Sequence, residues 1–484
     1  MKIPTSFRFR LIPLTLAATL LLSCGSGSGK AGEANTTKSP TERVTADRAL
    51  PVGVVIDTVT CVNQSAQSYA LYLPKNYSTD KKYPCIIFFD AHARGSLPLR
   101  MYKDIAEKYG FILVGSNVSK NGMATDVLNS TITTLWDDIH TRLHLDSACT
   151  YTSGFSGGSK VASLAAISHG GIAGVIGCAG GFPNLGQGFK HEFDYFGLVG
   201  DYDFNLPEMV QLETYLVQFK NQHQLLTWAG IHSWAPASEF KTAVLWMLAS
   251  SMKKQTMPKN DAIIAELKAD FDCRTKIAAA KKDWQNAFLL PDGAARVLAG
   301  LTDVTTYSKQ IANLEHNGDF KKASAEFQKL LPAEQAQKQE LASAFAAHDE
   351  QWWSNKITAM NQQISHAKTL QEANATRRVL AYLGFVSYMA VSQAMAAGDM
   401  EHTGRYLHIF KMADPKNPDC AYFNAIFNIK KGDAEAALTA LNEAATLGYS
   451  DIAQLINEAA FAGLQKDVAF QQVVERVRNN HLGK

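Results

Sequence analysis

The segment that most constrains this chain is Gly154-Phe155-Ser156-Gly157-Gly158, because of what stands on either side of it. Residues 148–152 are rich in strand formers, and residues 159–167 form an apolar stretch of helical character. A strand, a tight turn of small residues and a helix is the setting in which G-x-S-x-G holds a serine in a strained turn. Glycines suit such a turn because a larger side chain would collide with the neighbouring strand or helix. The pattern predicts an exposed Ser156 Oγ at a helix N-terminus, and the alternative is a Gly/Ser-rich loop.

The N-terminal segment is basic, then apolar, and its apolar run ends in Leu21-Leu22-Ser23-Cys24. Basic residues precede an apolar run at 11–22, which is too short for a comfortable transmembrane span. This segment resembles a bacterial lipoprotein signal, which implies a signal peptide at 1–23 and lipid on the Cys24 thiol. An ordinary secretory signal is the alternative. Residues 24–49 have almost no large apolar residue, which predicts a flexible tether. We therefore expect a lipid-anchored protein of the bacterial cell envelope, at the periplasmic face or the cell surface.

Composition sets limits on size and partners. With 484 residues, 46% hydrophobic and 19% charged, the chain has room for two or more domains. A net charge of +2 does not favour a nucleic acid as partner. The cysteines after Cys24 could pair, but Cys85, Cys149 and Cys178 lie in predicted core strands, where a free thiol packs as a small hydrophobe. No C-x-x-C or His/Cys cluster indicates a metal site.

Residues 50–252 alternate strand and helix patterns. This alternation predicts an α/β domain with a mostly parallel sheet covered on both faces. The predicted helices are 99–109, 126–143 and 159–167. The predicted strands are 67–74, 83–90, 111–115, 148–152, 172–178, 195–199 and 224–228.

A nucleophilic serine needs a base, and the sequence offers two histidines for this role. His232 follows the strand 224–228, at the sheet edge where ligands bind in open α/β sheets. His223 stands before that strand, on the wrong side of the sheet, so we exclude it. We therefore predict that His232 is the catalytic base; the alternative is a surface loop histidine.

The acid that orients this base is expected in the loop after the strand 195–199. That loop contains Asp201 and Asp203, and either carboxylate would lie at the correct end of the sheet. We choose Asp203 over Asp201. Asp194 is a more distant candidate because it precedes its strand.

Three stretches carry a family resemblance: residues 150–158, 200–203 and 230–234. They resemble the serine turn, acid loop and histidine loop of secreted α/β-hydrolases, in particular the polyhydroxybutyrate depolymerase and feruloyl-esterase type. Leu145-Asp146 before the serine strand is also similar to that group. The resemblance covers about residues 69–250. It implies an α/β-hydrolase sheet, a Ser-Asp-His triad and no cofactor.

The resemblance also implies an oxyanion hole. Its donors would be the backbone N–H groups of Gly157 and Arg94. Members of the family usually carry a His-Gly pair before the second donor, whereas this chain has His92-Ala93. Because alanine disfavours positive φ, we expect this loop to differ from the family. For the His92 side chain two roles stay open: a structural histidine, or a contact to the substrate.

The segment 179–194 is short for its position. It leaves no room for a helical cap between the predicted strands 172–178 and 195–199. We therefore expect an open cleft that suits an ester at the edge of a larger molecule. Its candidate walls are Gly180-Gly181-Phe182-Pro183, Phe204 and Trp234, each of which could equally be ordinary packing.

The second half of the chain has helical patterns, which we divide into a helical region at 253–377 and a repeat region at 378–484. Gly398-Asp399 and Gly432-Asp433 are 34 residues apart, the period of tetratricopeptide repeats, and their surroundings resemble that family. Gly318-Asp319-Phe320 has the same look but is out of register. We predict an all-α, tetratricopeptide-like domain; a non-repeating helical bundle is the alternative.

Two classes of function remain from the sequence. The first is a lipid-anchored serine hydrolase, a carboxylesterase that acts on a large or polymeric ester through Ser156, Asp203 and His232 without a cofactor. A peptidase of the same fold is a variant of this hypothesis. The second is a non-catalytic scaffold lipoprotein that holds a protein partner through its helical repeats.

Overall fold

The computed structural model describes residues 50–183, 191–345 and 347–483. The predicted signal peptide at 1–23 and the tether at 24–49, including Cys24, lie outside these residues and stay predictions. A sheet with flanking helices is followed by a large region of helices. The predicted fold class, an α/β domain followed by an all-α region, is confirmed.

The sheet has eight strands within the described residues. In chain order they are β1 Val55–Thr60, β2 Ser68–Tyr72, β3 Tyr83–Phe89, β4 Ile112–Ser116, β5 Leu145–Phe155, β6 Gly174–Cys178, β7 Asp194–Gly200 and β8 His223–Trp228. Their order across the sheet is β1-β2-β4-β3-β5-β6-β7-β8. The pairs β1–β2 and β2–β4 are antiparallel, and the other neighbours are parallel. The carboxyl ends of β3 to β8 therefore share one edge of the sheet, where ligands bind in open α/β folds.

The seven predicted strands overlap β2 to β8, and β1 is the strand that the sequence analysis missed. The β1 sequence, VIDTVT, mixes β-branched and polar residues and lies half-buried at the sheet edge. By contrast, β3 lies between β4 and β5 and is almost fully buried, as its continuous apolar run predicts. Pattern reasoning is strongest for central strands because burial on both faces demands apolar residues throughout.

Five helices cover the sheet: α1 Ser96–Tyr109, α2 Thr125–Arg142, α3 Gly157–Ser168, α4 Leu206–Leu216 and α5 Ala237–Lys253. The predicted helices correspond to α1, α2 and α3. Cys85, Cys149 and Cys178 are buried free thiols in β3, β5 and β6, as predicted. Burial raises the pKa of the Cys178 thiol to about 12, so it packs as an un-ionised apolar group.

The helical region follows α5. Its helices are α6 Asp261–Ala280, α7 Trp284–Leu298, α8 Thr305–His316, α9 Gly318–Ala344, α10 Glu350–Ser365, α11 Leu370–Ala396, α12 Met400–Ala413, α13 Pro418–Lys430, α14 Ala434–Thr446, α15 Ile452–Asn457 and α16 Val468–Leu482, with a 3-10 helix at Ala459–Leu464. The predicted boundary between residues 377 and 378 lies inside α11. That helix contains no proline, and its single glycine packs against Asp414, so nothing interrupts it.

The two Gly-Asp pairs form the same kind of helix junction. Gly398 and Gly432 have positive φ values of 71° and 84° and end α11 and α13. Asp399 and Asp433 then cap the N-termini of α12 and α14 with their side chains. Gly318 differs, because it is the first residue of α9 and Asn317 provides that cap. Two similar junctions are thus present, and the tetratricopeptide identity of the region stays a prediction.

The sheet and the helical region share a core. One hydrophobic cluster continues from the sheet into α6, α7, α8 and α9. By length and composition, α11 is the one helix among the described residues that is long and apolar enough to cross a membrane. In this structure α11 packs against α9, α10 and α12, and its side chains reach the carboxyl edge of the sheet.

Candidate active site

Ser156 stands on a strained turn between β5 and α3. Its φ of 56° and ψ of −120° lie outside the regions that non-glycine residues normally occupy. The turn is held because the Ser156 N–H donates to Cys178 O at 2.9 Å. A Cβ on Gly154 would lie 2.1 Å from Gly158 O, and one on Gly158 would lie 2.0 Å from Phe89 O. The glycines of the motif therefore allow the helix to approach the strands, for the steric reason that the sequence analysis predicted.

Ser156, His232 and Asp203 form one hydrogen-bonded chain. His232 Nε2 lies 3.0 Å from Ser156 Oγ, and His232 Nδ1 lies 3.0 Å and 2.9 Å from Asp203 Oδ1 and Oδ2. Asp203 is fully buried, whereas the His232 side chain is 21% exposed. The structure thus brings together the three residues that the sequence analysis selected, in the order nucleophile, base and acid.

The rejected candidates have other partners. The Asp194 carboxylate binds Ser250 Oγ at 2.6 Å and Lys254 Nζ at 2.7 Å, at the start of β7. His223 Nδ1 lies 2.8 Å from Glu213 Oε1. These contacts engage both side chains away from the hydrogen-bonded chain of Ser156, His232 and Asp203.

Asp201 is also separate from the hydrogen-bonded chain. Burial, together with the nearby Asp283 carboxylate, raises the pKa of Asp201 to about 7. Its backbone N–H donates to Trp228 O at 2.7 Å, which ties the acid loop to the end of β8. Asp201 therefore supports the loop, while Asp203 is the carboxylate that reaches the histidine.

The loop after β3 departs from the sequence prediction. Ala93 adopts a φ of 60°, the conformation that a glycine would take without strain. The Arg94 N–H points to Asp90 Oδ1 at 3.4 Å, a long contact, and its guanidinium binds the same carboxylate at 2.8 Å and 3.1 Å. The role of Arg94 N–H as the second oxyanion donor stays a prediction, and in this structure the amide makes only this long contact to Asp90.

Asp90 is the residue that organises this loop, and the sequence analysis did not select it. It is fully buried and accepts from His92 N–H at 2.9 Å and from Trp234 Nε1–H at 2.9 Å. Although burial raises the pKa of Asp90, the Arg94 guanidinium and the Trp234 hydrogen bond hold it below its ordinary value. Trp234 is thus a structural partner of Asp90 and not a wall of the cleft.

Asn121 is a further residue at the site that the sequence analysis missed. Its Oδ1 lies beside Gly157, since a Cβ built on Gly157 would be 1.8 Å from it. The Asn121 N–H donates to Ala91 O at 2.9 Å, which joins the loop after β4 to the loop after β3. Its position after the carboxyl end of a central strand is the signal that could have identified it.

Aromatic rings surround the histidine. The ring centroids of Phe155 and Phe204 lie 4.7 Å and 4.4 Å from that of His232. Of the predicted cleft walls, Phe204 therefore lies at the site. Ile231, next to His232, is 66% exposed, so one rim of the site faces solvent.

The helical region reaches the same site. The Phe204 ring stacks on Phe385 at 5.2 Å, and the His92 ring meets the edge of Tyr388 at 6.4 Å. Phe385 and Tyr388 belong to α11. The helix α11 therefore flanks the site on the side of Phe204 and His92, and the open, capless cleft stays a prediction. Residues 184–190 of the segment 179–194 lie outside the described residues.

The site has no metal-binding character in the part of the chain that the structure describes. No group of three or more His, Cys, Asp and Glu side chains there is arranged to hold a metal ion.

Comparison with known proteins gives likenesses in structure only. No protein-family model matches the chain, and no curated protein matches it in sequence. The chain is similar to S-formylglutathione hydrolase from Staphylococcus aureus, with 15% identity over 38% of this chain and 90% of that chain and a TM-score of 0.33. It is similar to an esterase of Pyrobaculum calidifontis (13% identity, 43% and 88% covered, TM-score 0.33) and to a ferulic acid esterase (16% identity, 40% and 93% covered, TM-score 0.31). The structural neighbours are thus esterases and serine hydrolases.

Proposed function

We propose that this protein is a serine hydrolase that cleaves carboxylic esters through Ser156, His232 and Asp203. The observation that carries the proposal is the hydrogen-bonded chain from Asp203 through His232 to Ser156 on a strained turn at the carboxyl edge of the sheet. Such a chain is the recurring arrangement for activating a serine hydroxyl.

The reaction follows from these contacts. Ser156 Oγ attacks the ester carbonyl carbon while His232 Nε2, 3.0 Å away, takes the hydroxyl proton. Asp203 keeps the Nδ1–H of His232 in place and stabilises the imidazolium that forms. His232 then protonates the leaving alcohol oxygen as the carbon–oxygen bond breaks, which leaves an acyl-enzyme. A water molecule, deprotonated by His232, releases the acid and restores Ser156.

The developing oxyanion needs hydrogen-bond donors near the serine. Gly157 is the first residue of α3, so its N–H belongs to the free donors at a helix N-terminus. We assign Gly157 N–H as the first donor. Arg94 N–H could serve as the second only after leaving Asp90 Oδ1, since it points there in this structure.

The proposed protein is anchored by lipid on Cys24, with its folded part at the surface of a bacterial membrane. The substrate that we propose is an ester at the edge of a larger molecule, reached from the rim at Ile231. A tether of the length of residues 24–49 would allow the domain to reach material near the membrane.

The test is hydrolysis of a panel of chromogenic esters, and of the corresponding amides, by protein that starts after Cys24. We expect ester turnover, and a loss of more than about a thousandfold in Ser156→Ala. A fluorophosphonate should label Ser156 covalently in the wild type and leave Ser156→Ala unlabelled. A folded wild-type protein that is neither active nor labelled would exclude the proposal, and amide turnover would assign a peptidase.

The second candidate is a scaffold that binds a protein partner. The matching helix junctions at Gly398 and Gly432 favour it, because stacked helical hairpins commonly form binding surfaces. If binding is the whole function, Ser156→Ala should leave it intact, whereas disruption of α12 to α14 should abolish it.

A further inference from the structure

We propose that the helical region positions the catalytic acid, an inference that rests on the proposed hydrolase function. Lys338 and Arg378 hold the backbone of the loop that carries Asp203. Residues of both the sheet domain and the helical region then determine the geometry of the active site. The helical region is therefore required for catalysis and not only for binding.

Two hydrogen bonds join the helices to the acid loop. Lys338 Nζ, from α9, donates to Phe204 O at 2.8 Å. Arg378 Nη1, from α11, donates to Asp201 O at 2.9 Å. The two carbonyl groups stand on either side of Asp203 along the chain. A cation from the helical region therefore holds the loop before and after the acid.

The two cations are held in turn by Glu334. Its Oε1 accepts from Lys338 Nζ at 2.7 Å, and its Oε2 accepts from Arg378 Nε and Nη2 at 2.9 Å and 2.7 Å. All three side chains are buried, with exposed fractions of 0% for Glu334, 7% for Lys338 and 3% for Arg378. Charged hydrogen bonds shielded from water are strong and directional, so this network is a rigid support.

The charges of the network involve the acid itself. Lys338 and Arg378 are two cations, and Glu334 is a single carboxylate. Burial lowers the pKa of Lys338, while the Glu334 and Asp203 carboxylates oppose that effect. The Asp203 carboxylate is thus one of the groups whose charge acts on Lys338.

Local contacts transmit the position of the loop to the carboxylate. The Asp203 N–H donates to Gly200 O at 3.0 Å, and the Asn205 N–H donates to Asp203 Oδ1 at 2.8 Å. Phe204 links the loop to both the base and α11, since its ring contacts the rings of His232 and Phe385. If the loop moves, the 2.9 Å bond from His232 Nδ1 to Asp203 moves with it.

A purely structural role is the competing explanation. In that case the network joins two parts of the molecule, and its loss changes stability but not the turnover of the protein that remains folded. A positioning role makes a different prediction, because a misplacement of about 1 Å at a catalytic group lowers turnover by about a hundredfold. The KM should stay the same, since the acid does not contact the substrate.

The experiment compares Arg378→Met and Lys338→Met with the triple variant Glu334→Leu, Lys338→Met, Arg378→Met in the full chain. The triple variant removes every buried charge of the network together, a replacement that is often neutral for stability. We expect the kcat of the triple variant on the best ester to fall by about a hundredfold at unchanged KM. The low-field proton resonance of His232 Nδ1–H should shift or disappear.

The matched control is Arg274→Met. Arg274 also forms ion pairs, with Asp270 and Glu239, and donates to a backbone carbonyl, but that carbonyl is Ser238 O and not one of the acid loop. We expect its kcat to stay within about twofold of the wild type and the low-field resonance to be retained.

Each outcome decides the proposal. A triple variant that folds and keeps the kcat of the wild type would overturn it, and so would a triple variant that fails to fold, because the network would then be structural. A wild type that neither turns over an ester nor reacts with a fluorophosphonate would instead overturn the hydrolase function, which separates the two failures.

Discussion

The carboxyl edge of the sheet and the junctions of the helical region use positive φ angles in different ways. At the sheet edge, three residues that are not glycine adopt them: Ala93, Ser156 and Ala179, after the adjacent strands β3, β5 and β6. In the helical region, Gln255 and Lys282 also have positive φ, at 61° and 55°, whereas beyond residue 300 every described residue with positive φ is a glycine, as at Gly398 and Gly432. Strained non-glycine residues therefore lie at the sheet edge and at the first two helix junctions, and the junctions beyond residue 300 are relaxed. The comparison teaches that the helices beyond residue 300 contribute support and not strained geometry.

The largest expected effect tests whether catalysis belongs to the strained edge alone. In Asp203→Asn, the amide cannot accept the His232 Nδ1–H in the same way, so kcat should fall by about ten-thousandfold. Asp433→Asn is the control in the helical region, because asparagine also caps a helix N-terminus. Steady-state ester hydrolysis measures both. Equal rates for Asp203→Asn and the wild type would contradict the assignment of the acid.

The second prediction compares glycines in the two regions. Gly158→Ala brings a Cβ to 2.0 Å from Phe89 O, which is backbone and cannot move aside. We expect the free energy of unfolding to fall by about 3 kcal/mol. For Gly432→Ala the Cβ meets nothing within 4 Å, and only the φ of 84° is unfavourable, so a fall of about 1 kcal/mol is expected. Urea denaturation checks both values, and similar losses would break the comparison.

The third prediction concerns how stability depends on pH, through Asp201 of the acid loop. Asp201 faces Asp283, the N-cap of α7, and Thr227 and Arg378 are nearby. Burial raises the pKa of Asp201 from 3.8 to about 7. Between about pH 4 and about pH 7, the Asp201 carboxyl is therefore protonated in the folded state and ionised in the unfolded state. The free energy of unfolding should fall as pH rises through this window.

Asp201→Asn removes this dependence. The difference in free energy of unfolding between variant and wild type should shift in favour of the variant as pH rises from about 4 to about 7, and then stay constant. Denaturation at several pH values measures the difference. A difference that does not change with pH would show that Asp201 does not titrate in this range.

The smallest expected effect sharpens the description of the helical region. Gly318 is the first residue of α9, has no positive φ, and a Cβ there would meet nothing within 4 Å. Gly318→Ala should therefore raise the free energy of unfolding by about 0.5 kcal/mol. Thermal unfolding beside Gly432→Ala checks it, and a loss of stability would show that Gly318 forms a junction like the other two.

The local features of this protein were determined by its sequence. The turn at Ser156 could be predicted because small residues between a strand and a helix permit few conformations. Asp203 and His232 could be selected because parallel strands bring the loops after them to one edge, whatever the rest of the fold does. The two helix junctions at Gly398 and Gly432 were visible for the same reason, since a positive φ and an N-cap depend on adjacent residues.

The tertiary structure alone decided what surrounds these residues. The Arg94 guanidinium binds Asp90, a carboxylate whose burial no local pattern reports. Lys338 and Arg378 meet the acid loop across 134 and 177 residues of chain, through helices that resemble any other amphipathic helices in sequence. Periodicity and turn chemistry act between near neighbours, whereas the meeting of distant helices depends on how all the packed surfaces fit together.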